Sequence, residues 1–170
     1  MNNTIPKGWK LLGSKPEDYV VNLDTKIKYK GNTSVYLEST IDSNDFGTLM
    51  QTFRVGKEYL GKRIELTGYL KTEEVKSVGM WMRVDSKEVS ELQFDNMENR
   101  RVIGSNDWKQ YAIVLDVPLE TYEIAFGVLL VGSGKVWMDT FEIKEVDNSV
   151  VSTNTGPLIP YNPVNLDFEE

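Results

Sequence analysis

An all-β, two-sheet antiparallel sandwich is the fold class this sequence predicts, and three observations predict it. Short runs rich in Val, Ile, Thr, Tyr, Phe and Trp recur at 33–39, 48–55, 63–72, 78–85, 91–95, 109–117, 123–131 and 136–146. Turn-forming residues separate them, as in Gly31-Asn32, the run from Asp42 to Gly47, Gly104-Ser105-Asn106-Asp107 and Gly132-Ser133-Gly134. No segment sustains a helical apolar period over three turns, so helix is confined to single turns, with Ser14 to Tyr19 and Tyr59-Leu60-Gly61 as candidates.

Alternation assigns the faces. In the run that begins at Arg63, Ile64, Leu66 and Leu70 share one side while Glu65, Thr67 and Tyr69 share the other. Further on, Met80, Met82 and Val84 form the apolar side and leave Trp81, Arg83 and Asp85 opposite. The strand at 123–131 is apolar or small on both sides, which predicts a central position, and Gly127 in its middle predicts close approach by another segment or a ligand. Near the end, Val136 and Met138 fall out of phase with Phe141 and Ile143, which predicts a bulge between them.

At 170 residues the chain can bury one sizeable core. Its domain plan reads as a sandwich over residues 1–147, an extended connector rich in Ser, Thr, Asn and Pro over 148–163, and an alternating terminal strand over 164–170. Hydrophobic residues at 40% and charged residues at 26% are ordinary globular usage. No basic-then-apolar leader opens the chain and no stretch approaches about 18 consecutive apolar residues, so a soluble, cytoplasmic protein without membrane contact is expected.

Composition also narrows the chemistry. The chain has no Cys and no His, which removes disulfides, thiolate nucleophiles, His-based triads and the usual zinc sites. A net charge of −7 repels phosphate backbones, so no direct nucleic-acid contact is expected; the basic pairs Lys62-Arg63 and Arg100-Arg101 are short and lack interleaved aromatics.

Taken together, the motifs resemble the galactose-binding-like jelly-roll family, the fold of many carbohydrate-binding modules. They include Pro6-Lys7-Gly8-Trp9, Gly31-Asn32-Thr33-Ser34, Phe46-Gly47-Thr48-Leu49-Met50-Gln51, Gly61-Lys62-Arg63, Trp81-Met82-Arg83-Val84-Asp85, Phe94-Asp95-Asn96-Met97, Asp107-Trp108 and Val136-Trp137-Met138-Asp139. The resemblance spans nearly the whole chain and implies a jelly-roll sandwich with a ligand face on one sheet. Similar domains occur in bacterial proteins labelled AraC-type transcriptional regulators. This sequence holds no pair of short amphipathic helices joined by a turn, so a regulatory role implies the sensing part.

The resemblance also implies a permuted order. An Asn-Leu-Asp-Phe-Glu strand commonly opens such domains, whereas here Asn165 to Glu169 comes at the end. The final strand is therefore expected to replace the usual first strand, packing Leu166 and Phe168 into the core of its own subunit, or of a neighbour in a strand-exchanged dimer.

The expected function is a noncatalytic binding or sensing module for a small polar, saccharide-like ligand. Sugars need flat aromatic surface beside planar hydrogen-bonding groups. Trp81, Arg83, Asp85, Gln93 and Asp95 form the expected platform, with Asn96 and Arg100 at its lip and Tyr69 and Thr67 from the neighbouring strand. The competing reading has Arg83 paired to Asp85 or Asp95 and the face covered, giving a structural or protein-interaction domain. Trp9, Trp108 and Trp137 read as packing residues. A third reading, glycan cleavage, would use Asp85 and Asp95 as its carboxylate pair. No cofactor is expected beyond a structural calcium ion, for which the resemblance nominates Asp139 and Glu169.

Overall fold

A computed structural model of the chain describes residues 2–156, 163 and 165–169. It contains nine strands: β1 (Lys10–Gly13), β2 (Val20–Asp24), β3 (Ser34–Ser39), β4 (Phe46–Arg54), β5 (Arg63–Asp85), β6 (Gln93–Asp95), β7 (Val102–Asp116), β8 (Glu123–Val131) and β9 (Gly134–Val146). Single 3₁₀ turns at Pro16–Asp18 and Glu98–Arg100 are the helical elements among the described residues. Hydrogen bonds link the strands in the order β1-β4-β8-β5-β9-β3-β2, with β6 and β7 also on β5.

The 23-residue β5 makes this chain of pairings a sandwich. Its first part pairs with β9 from Arg63 to Glu73, and its last part pairs with β8 from Ser77 to Asp85. Three register shifts against β7, from Leu70 to Val78, and a left-handed Glu74 at φ 49° mark the passage from one part to the other. Bulges of this kind bend and twist a strand, so one chain segment serves both sheets of the jelly roll. The charged run Glu73-Glu74-Val75-Lys76 reads as a gap in sequence, yet the strand continues through it because its ladder partners change there.

The core follows the alternation. Ile64 and Leu66 from the first part of β5 and Met80, Met82 and Val84 from the last part are all 0% exposed. Burying a side chain of this size is worth about 2 kcal/mol. The bulge expected in β9 is present: Thr140 has φ 52°, and the pairing jumps from Thr67↔Glu142 to Tyr69↔Asp139. Trp137 is buried with its indole Nε1 donating to Asp24 Oδ2 at 3.0 Å, and Trp9 packs edge-on against Phe126. Two strands escape the sequence pattern, β1 and β2, both at sheet margins. The N-terminal residues cover the outer side of β2, where Thr4 N–H donates to Val21 O at 2.9 Å and Asn3 Oδ1 accepts from Val21 N–H at 2.8 Å.

The connector is tied down over its described part. Thr153 N–H donates to Val114 O at 2.8 Å, Thr155 N–H donates to Phe94 O at 2.7 Å, and Asn154 Oδ1 accepts from Phe94 N–H at 2.9 Å. It thus laces β6 to β7 along their open sides. The terminal strand differs from expectation. Val164 lies outside the described residues, while Leu166 and Phe168 are 73% and 87% exposed in a turn with Asn165 and Phe168 at positive φ. Neither residue enters the core of its own sandwich, because an alternating segment needs a ladder partner and this one turns back on itself.

Candidate ligand-binding groove

The outer face of the β1-β4-β8-β5-β6 sheet carries a groove of about 450 Å³. Register builds it. Residues directly opposite in a ladder point the same way, so Gly79, Trp81 and Arg83 of β5 line up with Leu129, Gly127 and Ala125 of β8. The next strand adds Thr48 and Met50, opposite Leu129 and Gly127. Leu12 of β1 and Phe94 of β6 form the sides.

Trp81 lies on this outer face, away from Met80 and Met82, yet it is only 8% exposed. Its Nε1–H donates to Thr48 Oγ1 at 2.8 Å, and that hydroxyl donates to Val128 O at 2.9 Å. Thr48 sits two strands away, so the indole crosses β8 at the level of Gly127 and Leu129. The ring is thereby fixed in one orientation at the groove wall, offering part of its surface and not a free face.

Arg83 also lines the groove and is paired as the competing reading anticipated. Its Nε lies 3.0 and 2.9 Å from the two oxygens of Asp85, which is buried and also accepts from Glu91 N–H at 2.8 Å. Asn96 reaches the groove as well, while its Oδ1 caps Glu98 N–H at 3.1 Å.

Five expected members stand elsewhere, Thr67 among them on the part of β5 that pairs with β9. In β6, Phe94 is opposite Arg83, whereas Gln93 and Asp95 are opposite Val84 and Met82 and therefore face the inner side. Asp95 is 0% exposed, and Arg100 is drawn to it, Nη2 to Oδ2 at 2.5 Å and Nη1 to Oδ1 at 3.2 Å. Gln93 Oε1 accepts from Asp116 N–H at 3.4 Å. Tyr69 belongs to the other sheet, stacked on Tyr29 with ring centroids 3.7 Å apart. The adjoining Tyr29 phenol holds the Tyr69 hydroxyl above its ordinary pKa. The pair Asp85 and Asp95, pointing to opposite faces, cannot flank one glycosidic bond.

Sequence reasoning passed over Arg101, which lies across the groove-facing side of β5. Gly79 makes room for it: a Cβ there would stand 2.9 Å from Arg101 Cδ and Nε and 2.8 Å from Asn96 O. The Arg101 Nε–H donates to Asn96 O at 2.9 Å and Nη1 to Ser77 Oγ at 3.4 Å. Burial pulls the guanidinium below its ordinary pKa, with Glu98 and Asp95 acting through space to raise it again. Of the basic pairs, Lys62, Arg63 and Arg100 are each in ion pairs.

Of the residues nominated for calcium, Asp139 uses Oδ2 to accept the backbone N–H groups of Tyr29 and Lys30 at 2.9 and 3.1 Å. Glu169 is exposed at the chain end. Among the described residues, no group of three or more Asp, Glu, His or Cys side chains is able to hold a metal and no helix is long and apolar enough to cross a membrane.

With this geometry in hand, comparison with solved structures is decisive for the fold. The xylan-binding domain CBM22-1 of Paenibacillus barcinonensis Xyn10C superposes with a TM-score of 0.56 at 14% identity, covering 84% of this chain and 88% of that one. A carbohydrate-binding module of another kind, TmCBM61 in complex with β-1,4-galactotriose, gives 0.55 at 16% identity over 82% of this chain and 90% of that one. The fold is that of the carbohydrate-binding-module jelly rolls. A bacteriophage CBA120 tailspike enzymatic domain also matches, with a TM-score of 0.66 and 13% identity over 82% of this chain and 20% of that chain. In sequence, a Bacillus subtilis protein named as the uncharacterised HTH-type transcriptional regulator YbfP is 48% identical over 170 residues, covering 96% of this chain. The chain spans 57% of that relative's length. No family model matches.

Proposed function

We propose that this chain is a noncatalytic saccharide-binding module and that its ligand lies in the groove over β4, β8 and β5. As part of a longer regulator, such a module would supply effector sensing to a DNA-reading element. One observation carries the reading: on the outer face of a carbohydrate-binding-module jelly roll, Trp81 is locked by Thr48 beside the polar groups of Arg83, Asn96 and Arg101. A fixed aromatic flanked by planar donors suits a ring with an apolar face and hydroxyl edges. The relative's name supports the regulatory setting.

Isothermal titration with xylotriose and galactotriose tests the reading. One of them should bind, and Trp81→Ala should weaken it by about 30-fold, roughly 2 kcal/mol, as loss of a central aromatic anchor does. Trp108→Ala, away from the groove, should stay within about twofold. Equal weakening by both variants, with circular dichroism unchanged, would point away from the groove. A second reading, docking of an apolar peptide, draws on Leu12 and Phe46, which remain 47% and 37% exposed at the groove margin. It predicts that no saccharide perturbs the Trp81 indole N–H resonance.

A further inference from the structure

The chain carries 26 acidic and 19 basic residues, yet the described lining of the groove includes two arginines and no Asp or Glu. Local charge is thus reversed relative to the molecule. The two arginines are not equivalent. Arg83 is neutralised by Asp85 at 2.9 Å. Arg101 has no carboxylate within ion-pair distance among the described residues, whereas Arg54, Arg63, Arg83 and Arg100 each have one. Its hydrogen bonds engage Nε and one edge of Nη1 only. Arg101 is half-buried in a groove lined largely by apolar side chains, where a cation that no carboxylate contacts is costly and a matching anion correspondingly favoured.

Resting on the saccharide reading above, we propose that the ligand carries a carboxylate which Arg101 receives, making it a saccharide with a uronic acid residue. Shape favours a carboxylate over a phosphate: the flat fork of a guanidinium that no carboxylate contacts matches a flat carboxylate in two parallel hydrogen bonds. Gly79 and Ser77 serve as the seat on which the side chain lies, with Asn96 O fixing its Nε end.

Titration of the full chain, followed by the Trp81 indole N–H resonance, decides the matter. The methyl glycosides of glucuronate and galacturonate are compared with those of glucose and galactose, and with acetate. At least one uronate should bind about tenfold or more tighter than its neutral counterpart, with affinity falling as salt is raised. Arg101→Met should erase the preference for the uronate, lowering its affinity about tenfold more than that of the neutral sugar, while Arg101→Lys, which keeps the charge but not the fork, falls between. Equal affinity for charged and neutral sugars, or no effect of Arg101→Met on uronate binding, overturns the inference and leaves the saccharide reading standing. Acetate binding as tightly as the uronates overturns it too, since the carboxylate alone would then be recognised. Failure of every sugar to move the Trp81 signal overturns both.

Discussion

Replacing Arg100 with methionine should lower the melting temperature by roughly 10 °C, because it strands a carboxylate in the protein interior. Asp95 is 0% exposed and holds three things together. Its Oδ1 accepts Met97 N–H at 2.9 Å, and Met97 is itself fully buried in a left-handed conformation at φ 57°. Both carboxylate oxygens meet Arg100, which also donates to Ala112 O at 3.1 Å, so the pair ties β6 and the 98–100 turn to β7. Breaking a buried pair from one side costs about 3–5 kcal/mol. The Arg100 side chain is 34% exposed, which lets water screen the remaining charge and places the loss near the lower end, about 3 kcal/mol. At about 3 °C per kcal/mol for a domain of this size, calorimetry should read that shift. The double variant Asp95→Asn with Arg100→Met should recover part of it, since no charge is then left behind. A single-variant shift under about 2 °C, on the same scale, would show that the pair contributes nothing beyond a surface ion pair.

What the sequence made legible, and what it hid, separates along one physical line. Alternation within a strand is local, so it located Ile64, Leu66 and Leu70 on one face and Met80, Met82 and Val84 on another, and the phase slip between Val136 and Phe141 correctly marked a bulge. Phase between strands is not local. Nothing in Gln93-Phe94-Asp95 says whether Phe94 or its two neighbours stands beside Arg83; that depends on a register set by the hairpin from Asp85 to Gln93. One residue of offset moved Gln93 and Asp95 to the inner face and put Phe94 in the groove. The same limit hid Arg101. Adjacent arginines look equivalent in sequence, and only the fold reveals that Asp95 claims one while Gly79 opens a bed for the other. For Leu166 and Phe168 the alternation is real, but without a paired neighbour it specifies no strand.

Gly127→Val should have the largest effect on the groove, removing ligand binding and lowering the melting temperature by roughly 12 °C. Gly127 is opposite Trp81 on β5 and Met50 on β4, so it is held in ladders on both sides and cannot retreat. A Cβ at this position would lie 2.3 Å from Leu49 O and 2.8 Å from Met50 Cα. Those are backbone atoms, and relieving the contact means prying β4 from β8. Overpacking of this kind costs about 1–3 kcal/mol, and the Trp81–Thr48 hydrogen bond adds about 1 kcal/mol if the indole is displaced from its path across β8. The sum, about 4 kcal/mol at its upper end, gives the shift stated. Gly127→Ala should behave alike but milder, since its single methyl meets Leu49 O without the second branch. Two readings accompany the loss of stability: the indole N–H resonance of Trp81 should move toward its solvent-exposed position, and saccharide titration should fall silent. A Gly127→Val protein that melts normally and keeps that resonance would mean that β4 and β8 can part without cost, and the groove would then lack the rigid floor on which Trp81 is held.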